Sequence, residues 1–200
     1  SESEAVVDGE FRWTYGQFFD RCDRWSTTLQ GMGVKKGDRV AYIAPNTHSH
    51  LEAYYAVPQI GAVLVPINYR LKSEEFEYIL NHCGAKVLCV HPDFYDAIDG
   101  IRDQIKTVEA FIGLEDALPN WIDYEAKIQQ HDASFAPVEI DELDLITINY
   151  TSGTTARPKG VMITHRNAYI NIMGTLAHHH LTPQDRYLWT LPMFHANGWT

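Results

Sequence analysis

Cysteine is scarce in these 200 residues: Cys22, Cys83 and Cys89 stand far apart, with no CxxC pair. Three scattered thiols exclude a disulfide framework and a cysteine-built metal site, and they read as reduced thiols of a cytoplasmic protein. Positive charge is in deficit too, with 16 Lys and Arg against 26 Asp and Glu and a formal net charge of -10. A general nucleic-acid binder carries a basic footprint, so nucleic acid is excluded as a partner. A nucleotide is not, because a phosphate site needs only a few local donors and one or two cations. Long apolar runs are missing. Nothing approaches the roughly 18 residues of a membrane helix, and residues 1–10 lack the charged-then-apolar pattern of a signal peptide. Internal repeats and low-complexity tracts are absent as well.

What is present is the make-up of an ordinary soluble domain, 45% hydrophobic and 21% charged, long enough to bury a sizeable core. The opening run SESEAVVDGEFRWTYGQ reads as a short strand pair leading into a helix. From Thr14 to Met32 apolar residues recur at helical spacing (Phe18, Phe19, Cys22, Trp25, Leu29, Met32), with Thr14 as N-cap and Gly31 and Gly33 closing the far end. GDRVAYIAPN reads as a strand. HSHLEAYYAVPQIGA reads as a helix that Pro58 kinks or breaks. VLVPIN is a second strand, SEEFEYILNHCGA a helix opening at Ser73 and ending near Gly84, and KVLCVH a third strand. FYDAIDGIRDQI reads as helical and VEAFIGL as a strand. The acidic, weakly patterned stretch that follows holds one helix around Tyr124–Gln130 and reads as a surface excursion. LITINYTSG and GVMITH are strands, HRNAYINIMGTLAHHH is a helix capped by Thr164, and DRYLWTLP reads as a last strand. Helices alternating with short apolar strands predict an α/β fold of layered, mostly parallel sheets flanked by helices.

Residues 150–160, YTSGTTARPKG, carry the chemistry. A strand running into a Gly-rich hydroxyl loop, then Pro-Lys-Gly and a second strand, exposes backbone N–H groups at a tight turn. Thr151, Ser152, Thr154 and Thr155 add hydroxyl donors and Lys159 a mobile cation, a set suited to wrapping a polyphosphate. A Walker loop instead enters a helix and ends in Lys-Ser or Lys-Thr, so this is a different phosphate loop. On composition alone a polar β-turn that binds nothing competes evenly with it.

Three consecutive histidines, His178 to His180, point in different directions on a helix and cannot all ligate one ion; they read as a solvated helix end, as do His48 and His50. Lys35 and Lys36 read as a solvated turn before Gly37. No metal ligands are assigned.

The string YTSGTTARPKGVMITHRN resembles the signature loop of the adenylate-forming enzymes, which include acyl-CoA synthetases, coumarate-CoA ligases, luciferases and peptide-synthetase adenylation domains. It departs from the family pattern at Ala156, where glycine is commonest. If that position requires φ > 0, alanine strains it by about 1 kcal/mol or more. Either the backbone there suits alanine, the reading we favour, or nucleotide binding is weakened. The resemblance covers nearly the whole chain. It implies the N-terminal portion of a large adenylation domain, with Thr151, Ser152, Gly153, Thr154, Thr155 and Lys159 gripping the departing phosphates of ATP. LPMFHANGW resembles the segment beside the carboxylate and acyl pocket, which makes His195 a catalytic and substrate-binding candidate and Trp199 a lining or gate residue. A packed or solvated histidine and an ordinary core tryptophan are the competing readings. The Phe-His-x-Asn-x-Trp form most resembles the fatty-acyl-CoA synthetases.

The implied reaction joins a carboxylic, fatty acid to AMP and then to coenzyme A, using ATP and Mg2+. Alternatives are an aryl- or other small-carboxylate-CoA ligase, an amino-acid activator (disfavoured by His195 where such enzymes carry aspartate) and a non-catalytic nucleotide-binding module. The Tyr-Gly-x-Thr-Glu segment with its magnesium-ligating glutamate does not occur in the 200 residues. Nor do the ribose-binding aspartate motif and the C-terminal domain with its catalytic lysine. With the chain stopping on the apolar TLPMFHANGWT, these absences predict a fragment without ligase activity of its own. The family also forms homodimers, a state the residues here leave open.

Overall fold

A computed structural model describes residues 2–151 and 157–195. Two antiparallel strands, β1 (Glu4–Asp8) and β2 (Phe11–Thr14), form a hairpin that leads into helix α1 (Tyr15–Gly31). Thr14 caps α1 as its sequence position predicts. Its hydroxyl accepts from Gln17 N at 3.3 Å, and the Gln17 side chain accepts from Thr14 N at 2.9 Å, a reciprocal box that satisfies two orphan donors. Phe18, Cys22, Trp25 and Leu29 form the buried stripe of this helix, whereas Phe19 stays exposed.

Seven strands make the main sheet among the described residues, in the order β7-β6-β5-β3-β4-β8-β9. They are β3 (Arg39–Ile43), β4 (Val63–Pro66), β5 (Ala85–Val90), β6 (Ala110–Gly113), β7 (Ile122–Asp123), β8 (Leu145–Thr151) and β9 (Lys159–Thr164). All neighbours pair parallel except β8 with β9. Helices cover both faces, and this is why the inner strands read as continuous apolar runs. The two-residue period of a strand divides them. Val40, Tyr42, Leu64, Val87 and Cys89 face a core with α1, α2 (His48–Ala56) and α5 (Tyr124–Gln130). Ala41, Ile43, Val65, Leu88 and Val90 face the other core, with α3 (Ser73–Cys83) and α4 (Tyr95–Asp99). Crossover direction accounts for the allocation. The connections from β3 to β4 and from β7 to β8 run one way across the sheet and carry α2 and α5. Those from β4 to β5 and β5 to β6 run the other way and carry α3 and α4, as a constant crossover hand requires.

Proline and glycine punctuate where expected. Helix α2 stops at Ala56, and Pro58–Ile60 continues as a 3-10 turn. Helix α3 opens at Ser73 as expected, with Lys72 as its N-cap, and Gly84, in the left-handed region at φ 65, closes it. The run expected to be one helix over 94–105 is broken: α4 is five residues long and sits between 3-10 turns at Pro92–Phe94 and Arg102–Gln104.

DRYLWTLP is not a strand, since residues 186–192 carry no ladder and their carbonyls go to a side chain instead: Asn46 Nδ2 donates to Leu191 O at 2.8 Å and Trp189 O at 3.5 Å. The stretch after α5 runs over the surface as expected, with every residue of 131–144 exposed or half-buried, and it is tied down as a strap along α1. Gln30 pairs both ways with the Ala136 backbone (2.9 and 2.7 Å), Arg24 donates to His131 O at 2.7 Å, and Thr27 Oγ1 accepts from Ser134 N at 3.1 Å. Lys36 donates to Glu139 O at 3.0 Å and pairs with Asp144 at 2.6 Å, so it is a tether as well as a turn residue. Helix α6 (His165–His178), capped by Thr164 as expected, is the last helix or strand among the described residues, with His178, His179 and His180 exposed.

Candidate functional site

Strand β8 delivers the YTSGTTARPKG motif to the carboxyl edge of the sheet, where open parallel sheets bind ligands. The β8–β9 hairpin closes with the pair Thr151–Lys159, which forms the stem of the loop. Both side chains are exposed, and among the described residues no carboxylate pairs with Lys159, so its charge is free to meet an anion. Ser152, Gly153, Thr154, Thr155 and Ala156 lie outside the described residues, as does Trp199.

Gly160 explains the Pro-Lys-Gly ending in steric terms. It sits opposite Tyr150, and a Cβ there would come within 2.7 Å of Ile148 Cγ2 and 3.2 Å of the Tyr150 ring. The second cation of the motif is turned elsewhere. Arg157 stacks its guanidinium 5.3 Å from the Tyr78 ring centroid, beside a groove of about 440 Å³ that Glu74, Glu75 and Glu77 help to line.

The segment holding His195 is docked on the same sheet edge. Asn46, just past β3, accepts from Met193 N at 2.8 Å while its amide donates to Leu191 O and Trp189 O. Tyr54 of α2 donates to Met193 O. Asn149 of β8 donates to Phe194 O at 3.4 Å, and its own carbonyl is held by the Thr147 hydroxyl at 2.9 Å. Phe194 stands edge-on to Tyr69, just past β4, at 5.2 Å. Residues 189–195 thus lie across the carboxyl ends of β3, β4 and β8. His195 closes a turn by donating N–H to Pro192 O at 3.0 Å, and its side chain is exposed. The structure therefore brings Thr151, Lys159 and His195 to one edge.

Sequence reasoning missed the two asparagines that do this docking. Asn46 follows a proline at a strand end, a turn signal whose partners lie more than 140 residues away, so no local pattern announces them. It also misplaced two histidines. His48 and His50 are buried, not solvated. His50 stacks between Tyr42 and Tyr54, and burial lowers its pKa to about 4, so it stays neutral. His48 joins an ionic cluster in which Arg21 pairs with Glu52 at 2.6 Å and Glu125 at 2.5 Å, and Tyr124 donates to Glu52 at 2.7 Å. Among the described residues no group of three or more His, Cys, Asp or Glu could hold a metal ion.

The family model described as AMP-binding enzyme matches residues 1–200. The chain belongs to this family. Its relatives include a benzoate-CoA ligase, peroxisomal, of Arabidopsis thaliana, 37% identical over 98% of this chain and 37% of that protein. They also include a long-chain-fatty-acid-CoA ligase of Thermus thermophilus, 37% identical over 94% of this chain and 35% of its own length. Among solved structures, ATP-bound MatB from Rhodopseudomonas palustris superposes with a TM-score of 0.81 at 27% identity, covering 94% of this chain and 37% of that one. The chain spans between 35% and 38% of the length of the curated relatives it matches.

Proposed function

We propose that residues 1–200 are the N-terminal part of an adenylation domain that activates a carboxylic acid with ATP and passes it to coenzyme A. The observation that carries this is the shared edge: the Thr151–Lys159 stem and the docked 189–195 segment meet at the carboxyl ends of β3, β4 and β8. A carboxylate oxygen attacks the α-phosphorus of ATP, the bond to the bridging oxygen breaks, and pyrophosphate leaves. Carboxylate and triphosphate repel, so the enzyme must hold them in line and offset charge. Lys159 and the loop donors Thr151 to Thr155 serve the departing phosphates, and His195 borders the carboxylate. In the second step the thiol sulfur attacks the acyl carbon, AMP leaves, and the thiol proton passes to solvent.

A fatty acid is the proposed substrate, from the Phe-His-x-Asn-x-Trp form with Trp199 lining the acyl tunnel. An aryl acid is the second reading, favoured by the benzoate-CoA ligase relative, which is as similar as the long-chain one. The adenine, ribose, magnesium and coenzyme A contacts fall to residues beyond these 200, so the piece alone is proposed to be inactive. No helix among the described residues is long and apolar enough to cross a membrane; the cytoplasm is the proposed compartment. The test is a pyrophosphate-release screen of the full-length protein against acetate through palmitate and aryl acids, with and without coenzyme A. Release dependent on one acid class supports the reading and names the class. No release with any acid, or equal release from the isolated 200-residue piece, refutes it.

A further inference from the structure

The geometry points to His82 and Tyr78 of α3 as positioning residues that moor both ends of the phosphate loop. This rests on the proposed use of residues 151–159 to hold ATP. The four groups form one chain of contacts. The Tyr150 hydroxyl lies 2.6 Å from His82 Nδ1, and the two rings meet edge-on at 5.8 Å. His82 in turn lies 5.3 Å from the Tyr78 ring, one helical turn back, and the Arg157 guanidinium covers Tyr78 at 5.3 Å. Tyr150 immediately precedes residues 151–159 and Arg157 lies two positions before Lys159, so one face of one helix holds a group on each side of the turn.

The hairpin needs such a hold. The register pair that joins β8 to its parallel neighbour is Leu64–Thr147, three residues before Tyr150. Past that point β8 has only β9 beside it in the sheet, and β9 is the sheet's edge among the described residues. Ile148 and Tyr150 pack instead on the core that contains Phe76, Ile79 and Leu80 of α3. The missing side chain at Gly160 leaves the space that the Tyr150 ring occupies. Arg157, the cation nearest Lys159 in sequence, is thereby committed to an aromatic face of α3, with phosphate left to Lys159.

The test compares Tyr150→Phe, His82→Leu, the double variant and His82→Gln in the full-length protein, with melting temperature as a folding control. Hydrogen–deuterium exchange of the 150–160 peptide reads the mooring without catalysis. The KM for ATP against the KM for carboxylate in pyrophosphate release reads its consequence. We expect Tyr150→Phe and His82→Leu each to speed exchange and raise the ATP KM about fivefold, the worth of one neutral hydrogen bond. The carboxylate KM stays unchanged, the double variant is no worse than either single, and His82→Gln, which keeps a polar partner, recovers most of the loss. Unchanged exchange in both single variants overturns the proposal, and so does faster exchange with an unaltered ATP KM. If the wild-type protein releases no pyrophosphate, the ligase reading fails, and exchange alone decides the mooring.

Discussion

The carboxylate of Asp8 takes two hydrogen bonds from His48, one from the backbone N at 2.8 Å and one from ring Nδ1 at 3.0 Å. The other ring nitrogen, Nε2, lies 3.5 Å from Glu125. A neutral imidazole can donate from only one nitrogen, so carboxylates on both sides select the doubly protonated ring. His48 is then a buried cation that ties the β1–β2 hairpin to α2 and α5, with Arg21 and Glu52 in the same cluster.

This arrangement fixes a pH dependence. Burial pushes the pKa of His48 down, but the hydrogen bond to Glu125, the charge of Glu52 and the hydrogen bond to Asp8 together raise it above the ordinary 6.5. A raised pKa means the folded state holds the proton more tightly. The stabilisation is complete below about pH 6.5 and is lost as pH rises through the raised value. The difference in melting temperature between wild type and His48→Gln should shrink across that rise. A difference constant with pH removes the charged His48 from the account.

Glu125 gives the opposite limb. Burial raises its pKa, yet hydrogen bonds from His48 and Arg21 and the charge of Arg21 outweigh this and hold it at about 2, below the ordinary 4.5. Its contribution is present above pH 4.5 and fades as pH falls toward 2. Glu125→Gln should therefore flatten the acid side of the stability profile, measured by urea unfolding at several pH values.

Glu52 is fully buried and shares Arg21 with Glu125. Removing one partner of a buried pair strands the other, and Glu52→Leu should lower unfolding stability by about 3 kcal/mol. Urea denaturation checks it; a loss within experimental error would mean Glu125 alone satisfies Arg21.

Replacing Gly160 by alanine places a methyl 2.7 Å from Ile148 Cγ2. Overpacking of this kind costs about 1–3 kcal/mol, and here it also displaces Tyr150. Gly160→Ala should lose stability and ATP affinity together, read by urea unfolding and by nucleotide titration of the full-length protein.

Lys159→Ala removes the cation at the loop stem. The adenylation rate should fall about 10- to 100-fold, the scale of one charge-assisted hydrogen bond, with melting temperature unchanged because the side chain is exposed. An unaltered rate takes Lys159 out of the site.

What could be read from residue order was what is local. Thr14 and Thr164 announced their helices because a cap needs only its own next turn. Pro58 announced a break because the ring acts on its neighbours. The β8–β9 hairpin was legible because strand, loop and strand are contiguous. The burial of His48 was not, since its partners stand 40 and 77 positions away and a charged ring is accepted in the interior only with both in place. Residues 186–192 have the alternation of a strand but no ladder, because strand formation depends on a neighbour that the pattern cannot specify.

The strap along α1 carries a consequence for the order of assembly. Gln30 and Thr27 find their backbone partners 106 and 107 positions downstream. Loop closure over about a hundred residues costs entropy before any contact offsets it, and such contacts form slowly. A ribosome emitting this chain releases α1 long before the strap exists. The outer face of that helix stays dressed in water until residues 131–139 arrive, and β8 can enter the sheet only after them. The hairpin that bears the loop is thus among the last parts of these residues to find its place.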